Sequence, residues 1–221
     1  MSSPREAPRR ETATVILDVA ERLFAEHGFD GVSLRDITGE AGVALNLVTY
    51  HFKTKDNLLL AVFERRAGII GTLRLDALAA VYDPAAGKVA SVEELVRAFL
   101  VPLLELVAGD VPGWRSYARL VALVAHGGVG VSHPQVPLLY DDVARKYLEA
   151  FAAALPGADR DALDLAYYFL VGAMLTTYAQ GGRLTALTAG RLNSDDFSRI
   201  HDHLVPFVSA GFRALGAPRS K

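Results

Sequence analysis

The chain has 221 residues, no cysteine, a formal net charge of −2 and 51% hydrophobic residues. A chain of this length buries about 70% of the surface of its unfolded form, enough for one large or two small domains. The lack of cysteine excludes disulfide bonds and thiolate zinc sites, and it is compatible with the cytoplasmic location that we expect. No apolar run reaches the ~18 residues that span a bilayer, and the first residues lack the apolar core of a signal peptide, so no membrane partner is predicted.

The first predicted helix runs from Thr12 to His27, and Gly28 is placed to end it. Its apolar residues recur at helical spacing: Val15, Ile16, Val19, Ala20, Leu23 and Phe24. Residues 1–11 are polar and contain two prolines, so this segment is predicted to be mobile. The arginines of the segment form a basic arm: Arg5, Arg9 and Arg10.

Two short helical patterns follow, separated by Ala41-Gly42-Val43. Ser33 opens the first of them, because its hydroxyl can accept from the Asp36 amide while the Asp36 carboxylate favours the positive end of the helix. Gly42 supplies the backbone freedom for a sharp turn between two helices. The second helix is predicted over residues 45–52 and carries no formal charge.

The side chains on and beside this second helix suit contacts with DNA. Such groups bond base edges and phosphates, whereas a nucleophile would need an activated partner that the stretch lacks. The candidates for DNA contacts are Ser33, Arg35, Leu45, Asn46, Thr49, Tyr50, His51, Lys53 and Lys55. Two alternatives stay open: Arg35 could form a surface ion pair with Asp36 or Glu40, and Tyr50 could pack under the helix.

Charge in this part of the chain is distributed unevenly. Residues 1–56 hold seven lysines and arginines against nine aspartates and glutamates, so we expect a modest salt dependence of DNA binding. Three of the acids, Glu21, Glu26 and Asp30, could face away from the DNA.

The rest of the chain predicts only helices, because no alternating strand pattern occurs. These helices are expected over residues 55–82, 91–107, 114–126, 134–155, 159–180 and 195–215, which makes about nine in all. Gly68 and Gly71 could bend or break the first of these helices, and Pro102 should kink the second. Ser194 with the two following aspartates is expected to open the last helix.

The middle of the chain is rich in aromatic residues with polar tips. The candidates for lining an apolar ligand cavity are Trp114, Tyr117, His126, Tyr147, Phe151, Tyr167, Tyr168, Met174 and Tyr178. The alternative is ordinary core and interface packing, which is favoured for any one of these residues taken alone.

Metal, cofactor and catalytic sites are not predicted. His201 and His203 lie on different faces of a helix, and His126 with His133 matches no metal-binding spacing. Asp141 and Asp142 are interpreted as a solvated pair or as a pair that complements a helix dipole, rather than as a catalytic dyad.

The amino-terminal part of the chain resembles the DNA-binding domain of the tetracycline-repressor (TetR) family of bacterial transcription regulators. The residues that carry the resemblance are Ile16-Leu17, Ala20, Leu23-Phe24, Gly28-Phe29, Ser33, Arg35-Asp36-Ile37, Ala41-Gly42-Val43, Tyr50-His51-Phe52, Thr54-Lys55-Asp56 and Leu58. Ala44 and Asn46 depart from the family, in which Ser or Thr and Gly are frequent at these positions.

The resemblance implies an all-α protein with two domains. Residues 1–56 would be a three-helix helix-turn-helix DNA-binding domain with a basic arm, and residues 57–221 a helical bundle for effector binding and dimerisation. Helices 159–180 and 195–215 would form a homodimer, and a two-fold pair of reading helices about 34 Å apart reads a palindrome.

The expected function is therefore transcription regulation rather than catalysis. A dimer, most often a repressor in this family, would bind a palindromic operator in double-stranded DNA. A small apolar effector would release it through helix 55–82. One alternative replaces the effector by a protein partner. Another is a helical enzyme, for which the sequence offers no nucleophile, base and orienting group.

Overall fold

The computed structural model describes residues 6–109, 111–125, 134–179 and 181–216. Within these ranges the regular elements are helical apart from an isolated bridge between Asp83 and Lys88, which confirms the all-α prediction. In chain order the elements are α1 (Glu6–His27), α2 (Leu34–Ala41), α3 (Leu45–Phe52), α4 (Lys55–Val81), α5 (Val92–Ala108), α6 (Trp114–Ala125), a 3-10 turn (Pro137–Tyr140), α7 (Asp141–Ala154), α8 (Arg160–Tyr178), α9 (Arg183–Leu187) and α10 (Phe197–Gly216). None of these helices has the length and apolar character needed to cross a membrane.

Helix α1 begins at Glu6 instead of the predicted Thr12. Pro8 is compatible with this start, because the amides of the first helical turn have no partner within the helix. Arg9 and Arg10 consequently belong to α1, whereas Arg5 lies outside the described residues.

Helix α7 begins at Asp141 rather than at residue 134, which places Asp141 and Asp142 in its first turn. Residues 134–136 form a turn before the 3-10 turn, since the prolines at 134 and 137 lack the amide that a continuing helix needs. Five-residue α9 was missed because it is too short for helical periodicity to show.

Helix α10 starts at Phe197, where Asp196 Oδ1 accepts from the Arg199 amide at 3.1 Å. Ser194, the predicted start, instead exchanges hydrogen bonds with Thr185 of α9.

The chain forms two compact units. Unit 1 comprises residues up to Gly68 together with 112–139, and unit 2 comprises 69–111 and the chain from 140 onward. Helix α4 contributes to both and is continuous through Gly68 and Gly71, so the predicted break does not occur.

Unit 1 contains α1–α3, the first part of α4, and α6. Its core side chains, none more than 2% exposed, include Ile16, Phe24, Ile37, Val48 and Phe63. Helix α1 packs against α2, α3 and α6, and α2 packs against α3. Because burial of each large apolar side chain contributes roughly 1.5–3 kcal/mol, this core fixes α2 and α3 on α1.

Unit 2 contains the second part of α4 with α5 and α7–α10. Helix α10 packs against α5 and α8, and α7 packs against the same two helices. The rings of Phe151 on α7 and Phe212 on α10 stack with centroids 4.0 Å apart, and both side chains are buried.

Candidate DNA-contact surface and ligand-site residues

Reciprocal hydrogen bonds fix the start of α2. The Ser33 hydroxyl accepts from the Asp36 amide at 3.2 Å, as predicted, and the Asp36 carboxylate accepts in return from the Ser33 amide at 2.8 Å, which completes a capping box. Hydrogen bonds from the Ser33 side chain and backbone lower the pKa of Asp36. At the other end Gly42 has φ of 65°, a left-handed conformation that glycine adopts without strain. The helix-turn-helix connection is therefore set by local chemistry.

Helix α3 spans the residues predicted for the reading helix and is held mainly through Val48, which is 1% exposed. The other candidates on α3 lie at the surface, apart from half-buried His51: Leu45, Asn46, Thr49 and Tyr50. Tyr50 is 63% exposed and its ring contacts His51 edge-on, so it does not pack under the helix. The outward face of α3 is uncharged and accessible.

Lys53 ends α3 in a strained turn. Its backbone has φ 66° and ψ −55°, and the Thr54 amide donates to the Phe52 carbonyl at 2.8 Å across it. A γ-turn with positive φ is rare and costs a non-glycine residue about 1–3 kcal/mol. The side chain of Lys53 is exposed beside the α3 surface.

Arg35 and Lys55 differ in their surroundings. Arg35 is exposed and makes no ion pair within the described residues: Asp36 accepts from Ser33, and Glu40 pairs with Arg22. Lys55 Nζ instead donates to the carbonyls of Phe29 and Val32, at 2.9 Å each. The Lys55 ammonium thus holds the turn after α1 against the start of α4. Sequence reasoning missed this role because the partner carbonyls are distant in the chain.

Trp114 and Tyr117, two of the ligand candidates, belong to the core of unit 1 and are each 2% exposed. Their rings meet edge-on, and Tyr117 contacts Phe63 of α4 in the same way. They do not join the remaining ligand candidates, and His126 lies outside the described residues.

An ion cluster around the buried carboxylate of Glu21, which we call the Glu21 cluster, consists of Glu21, Arg65, Arg66 and Asp18. Arg66 donates to both Glu21 oxygens, at 2.7 and 2.8 Å, and Arg65 donates to Glu21 at 2.8 Å and to Asp18 at 2.7 Å. Glu21 is 1% exposed, so its carboxylate is turned into unit 1 and not toward solvent. Its position three residues before buried Phe24 on α1 was the signal for burial.

The Glu21 cluster also fixes the entry to α6. Arg66 donates to the Pro112 carbonyl at 3.2 Å, and its guanidinium lies 4.8 Å above the Trp114 ring. Gly113 has φ of 85°, and a Cβ there would collide with the side chains of Arg66 and Glu21. Glycine is therefore required on both conformational and steric grounds.

Unit 2 contains a second buried cation, Arg74, which is 5% exposed. Its Nε donates to the Phe99 carbonyl at 3.0 Å, its terminal nitrogen donates to Met174 Sδ at 3.0 Å, and its guanidinium lies 3.9 Å above the Phe99 ring. Tyr147 donates to the Arg74 carbonyl at 2.8 Å. We call Arg74, Phe99, Tyr147, Tyr167, Met174 and Tyr178 the Arg74 cluster.

The tyrosines of the Arg74 cluster remain neutral. Burial raises the pKa of Tyr167 to about 12 and also raises the pKa of Tyr147 and Tyr178, while the charge of Arg74 acts in the opposite direction on each. Tyr178 donates to the Leu100 carbonyl at 3.4 Å, and Tyr147 and Tyr167 meet the Phe99 ring edge-on.

The structure thus brings four of the ligand candidates together around Arg74 and Phe99. Those four are Tyr147, Tyr167, Met174 and Tyr178. Phe151 stacks on Phe212 instead, and Tyr168 is 71% exposed on α8. Arg74 itself was not singled out from the sequence, where a lone arginine inside a long helix carries no signal of burial.

An apolar groove of about 480 Å³ runs between α8 and α10. Phe169 and Phe207, which are 55% and 73% exposed, lie along it. Six other apolar residues of these two helices are buried within unit 2: Met174, Tyr178, Phe197, Leu204, Val208 and Phe212. Leu165 of α8 is exposed, like Phe169 and Phe207.

No set of three metal-ligating side chains comes together in the described ranges. His201 is buried and His203 is exposed, in agreement with their predicted placement on different faces of one helix.

A capped helix-turn-helix with an open, uncharged second helix defines a DNA-binding protein of the helix-turn-helix class. Residues 16–62 match the bacterial regulatory proteins of the tetR family, and residues 97–211 match the tetracyclin repressor-like C-terminal domain. The second match alone spans more than half of the chain. The protein belongs to the TetR family of transcriptional regulators.

Proteins with similar sequences include other helix-turn-helix transcriptional regulators. The HTH-type transcriptional regulator AcrR of Shigella flexneri is 37% identical over 76 residues, which cover 34% of this chain and 35% of AcrR. The chain therefore matches about a third of the length of such curated relatives.

Two solved structures share the fold over nearly the whole chain. A TetR-family regulator from Shewanella sp. PV-4 has a TM-score of 0.64 at 18% identity, covering 94% of this chain and 99% of its own. AibR, solved with isovaleryl coenzyme A and operator DNA, has a TM-score of 0.61 at 19% identity, covering 89% and 97%.

Proposed function

We propose that this regulator is a dimeric repressor that binds a palindromic operator through α3 and is released by a small apolar effector bound in unit 2. The DNA-binding part of this proposal rests on the exposed, uncharged face of α3. The exposed cations Arg35 and Lys53 flank that face. An α-helix with such a face fits the major groove, where uncharged polar and apolar groups distinguish base pairs.

The candidates fall into three groups: residues that bind phosphates, residues that enter the groove, and residues that act indirectly. Arg35 and Lys53 bind phosphates, while the α3 side chains meet the groove: Leu45, Asn46, Thr49, Tyr50 and His51. Ser33 and Lys55 act indirectly, because Ser33 caps α2 and Lys55 is bound to the carbonyls of Phe29 and Val32. They position the reading helix rather than touch DNA.

The groove between α8 and α10 supports the proposed dimer. Two phenylalanines more than half exposed, Phe169 and Phe207, lie beside a 480 Å³ depression that a second copy can fill. Contiguous exposed apolar surface of this kind marks an interaction site. A two-fold dimer would present two α3 helices to the two halves of a palindrome.

Effector release is supported by the TetR-family C-terminal domain and by the fold shared with AibR, whose structure contains isovaleryl coenzyme A. An effector shifts the regulator away from DNA only by its differential affinity for the two states. Helix α4, which contributes residues to both units, is the proposed connection.

Control by a protein partner is the second candidate. The closed packing of unit 2 favours it, since Tyr147, Phe151 and Tyr178 are at most 1% exposed. An effector would have to displace some of these side chains, whereas a protein partner would bind the surface.

In-vitro selection from random duplexes tests the DNA-binding proposal. We expect a palindrome to be enriched, and its affinity to fall for Arg35→Ala and Lys53→Ala. Each lost phosphate contact should reduce the slope of log affinity against log salt by about 1. Arg145→Ala is the matched control, because Arg145 is an exposed cation on α7. Equal affinities for all three variants would contradict the proposed contacts.

Sedimentation of Phe207→Glu tests the dimer. A carboxylate at this position should leave monomers, because an unpaired charge cannot be buried cheaply in an apolar interface. Val89→Glu, at a residue 59% exposed outside the groove, should leave the dimer intact. Dimeric Phe207→Glu would place the interface elsewhere.

A further inference from the structure

We propose that an open groove between α4 and α5 is an effector site for a hydrophobic amine, a protonated nitrogen on a hydrocarbon body. This inference rests on the effector control proposed above and adds the place and the chemical class of the effector. The groove, which we call the α4–α5 groove, has a volume of about 650 Å³ and lies within unit 2. Its apolar lining includes Leu73, Ala77, Ala98, Val101 and Pro102.

Small side chains make room in the α4–α5 groove. Ala77 on α4 and Ala98 on α5 both line it, and Leu73 on its wall is 39% exposed. Its volume falls in the range of about 300–1,000 Å³ that is usual for small-molecule sites. Because the groove is open, a ligand can enter it without displacing the buried aromatic side chains of unit 2.

Pro102 gives the apolar groove a hydrogen-bond acceptor. Proline has no amide hydrogen, so the Ala98 carbonyl one turn earlier has no helical donor at position 102. Ala98 and Pro102 both line the groove. A backbone carbonyl without its helical donor suits a ligand that brings N–H groups, as an ammonium does.

The charged groups near the start of α5 are already engaged. The Glu94 carboxylate accepts from the Ser91 amide at 2.8 Å and caps the helix. Arg97 donates to Glu93 at 3.1 Å, and Lys88 donates to a backbone carbonyl at the end of α4. Two carboxylates and two cations therefore balance each other at this end of the groove.

Glu105 gives the other end of the groove a negative charge. It is exposed, and it forms no ion pair with the part of the chain that the structure describes. It lies about 12 Å beyond Arg97 along α5, which exceeds the screening length of about 8 Å at physiological salt. The Cα–Cβ bonds of a helix tilt toward its start, which directs Glu105 back toward Val101 and the Ala98 carbonyl. Two acceptors on an apolar groove match a cation with a hydrocarbon body better than an anion or a neutral molecule.

A ligand in the α4–α5 groove would contact α4 directly. Leu73 and Ala77 belong to this helix, which contributes residues to both units. Control of DNA binding then requires only that the groove bind the amine with different affinity in the two states of the regulator.

Calorimetric titration of the full chain at pH 7 with decylamine, 1-decanol and decanoate tests the ligand class. The probes share a ten-carbon body and carry a positive, no and a negative charge. We expect decylamine to bind most tightly and decanoate most weakly. Glu105→Gln should weaken decylamine about 2- to 5-fold, the range for an exposed ion pair, and leave decanol unchanged. Glu149→Gln, which removes an exposed carboxylate on α7, is the matched control.

Ala77→Phe tests the location. A phenyl ring in the groove should weaken decylamine and decanol by about 10-fold or more, because it occupies the place of the hydrocarbon body. Ala79→Phe, at an exposed position of α4 outside the groove, should bind both probes like the unaltered protein. Ala77→Leu repeats the test with a smaller side chain if Ala77→Phe folds poorly. Equal affinities for the three probes, or decylamine binding unchanged by the substitutions at Ala77, would overturn the inference.

Two other occupants of the groove are outcomes of the same experiments. If Ala77→Phe converts a dimer into monomers in sedimentation, the groove holds a second copy of the chain and the amine site is refuted. If a lysine-rich amphipathic peptide binds the unaltered protein but not Ala77→Phe, and no ten-carbon probe binds, the occupant is a protein segment and the amine site is again refuted.

Gel shifts with the selected palindrome separate this inference from the proposed function. Decylamine that binds in the groove and releases DNA supports both. Binding in the groove without release supports the amine site and contradicts control by this ligand class. A protein that binds no duplex refutes the proposed regulator, while the calorimetry still decides on the amine site.

Discussion

Units 1 and 2 each bury a guanidinium, and they do so in opposite ways. In unit 1 Arg66 donates two hydrogen bonds to Glu21, a carboxylate that is 1% exposed. In unit 2 Arg74 is held by a carbonyl, a thioether sulfur and an aromatic face. In the first arrangement the guanidinium meets a buried carboxylate, whereas the contacts described for the second are to neutral groups.

Glu21→Gln should cause the largest loss of stability. It leaves Arg65 and Arg66 facing a neutral amide, and breaking a buried pair from one side costs about 3–5 kcal/mol. Urea denaturation followed by circular dichroism measures the change. Asp18→Asn removes the other, 58% exposed partner of Arg65 and should cost less than about 1 kcal/mol. Equal effects of the two substitutions would show that burial of Glu21 is not what matters.

Gly113→Ala should destabilise the same unit by about 1–3 kcal/mol, since the new Cβ meets Arg66 and Glu21 at a positive φ. Gly68→Ala is the matched control: it lies inside α4 with open space around it and should stabilise by up to about 1 kcal/mol. Thermal denaturation of both variants measures these two changes in stability. A stable Gly113→Ala would mean that the Glu21 cluster tolerates displacement.

Arg74→Met should change stability by less than about 1 kcal/mol in either direction. It replaces a buried charge by an apolar side chain of similar length, and such replacements are often neutral or stabilising. Urea denaturation again provides the measurement. A loss as large as that of Glu21→Gln would remove the contrast between the two units.

The smallest expected effect is a dependence of the free energy of unfolding on pH, caused by protonation of His201. This histidine is 6% exposed and its Nε2 has no hydrogen-bond partner in the described structure. Burial, and secondarily the charge of Arg97, lower the pKa of His201 below 6.5. The unfolded chain therefore binds the proton more readily, and stability should fall as the pH drops below about 6.5. His201→Gln should lose this component, while His203→Gln, at an exposed position, should keep it.

The parts of the fold that the sequence predicted well depend on neighbouring residues. The cap formed by Ser33 and Asp36 and the turn at Gly42 act over a few positions, so the bounds of α3 were predicted correctly. The ion pairs of Glu21 and the hydrogen bonds of Lys55 involve partners at least 23 residues away, and no local pattern identifies those partners. The same holds for Arg74, whose sulfur partner is 100 residues distant.

The position of Trp114 makes its fluorescence a probe of unit 1. Trp114 is the only tryptophan of the chain, buried in unit 1 with the guanidinium of Arg66 above its indole ring. Selective excitation of indole therefore reports on unit 1 alone and leaves unit 2 optically silent. A cation over the ring shifts the emission, so fluorescence can follow the loosening of the Arg66 contact without any attached dye.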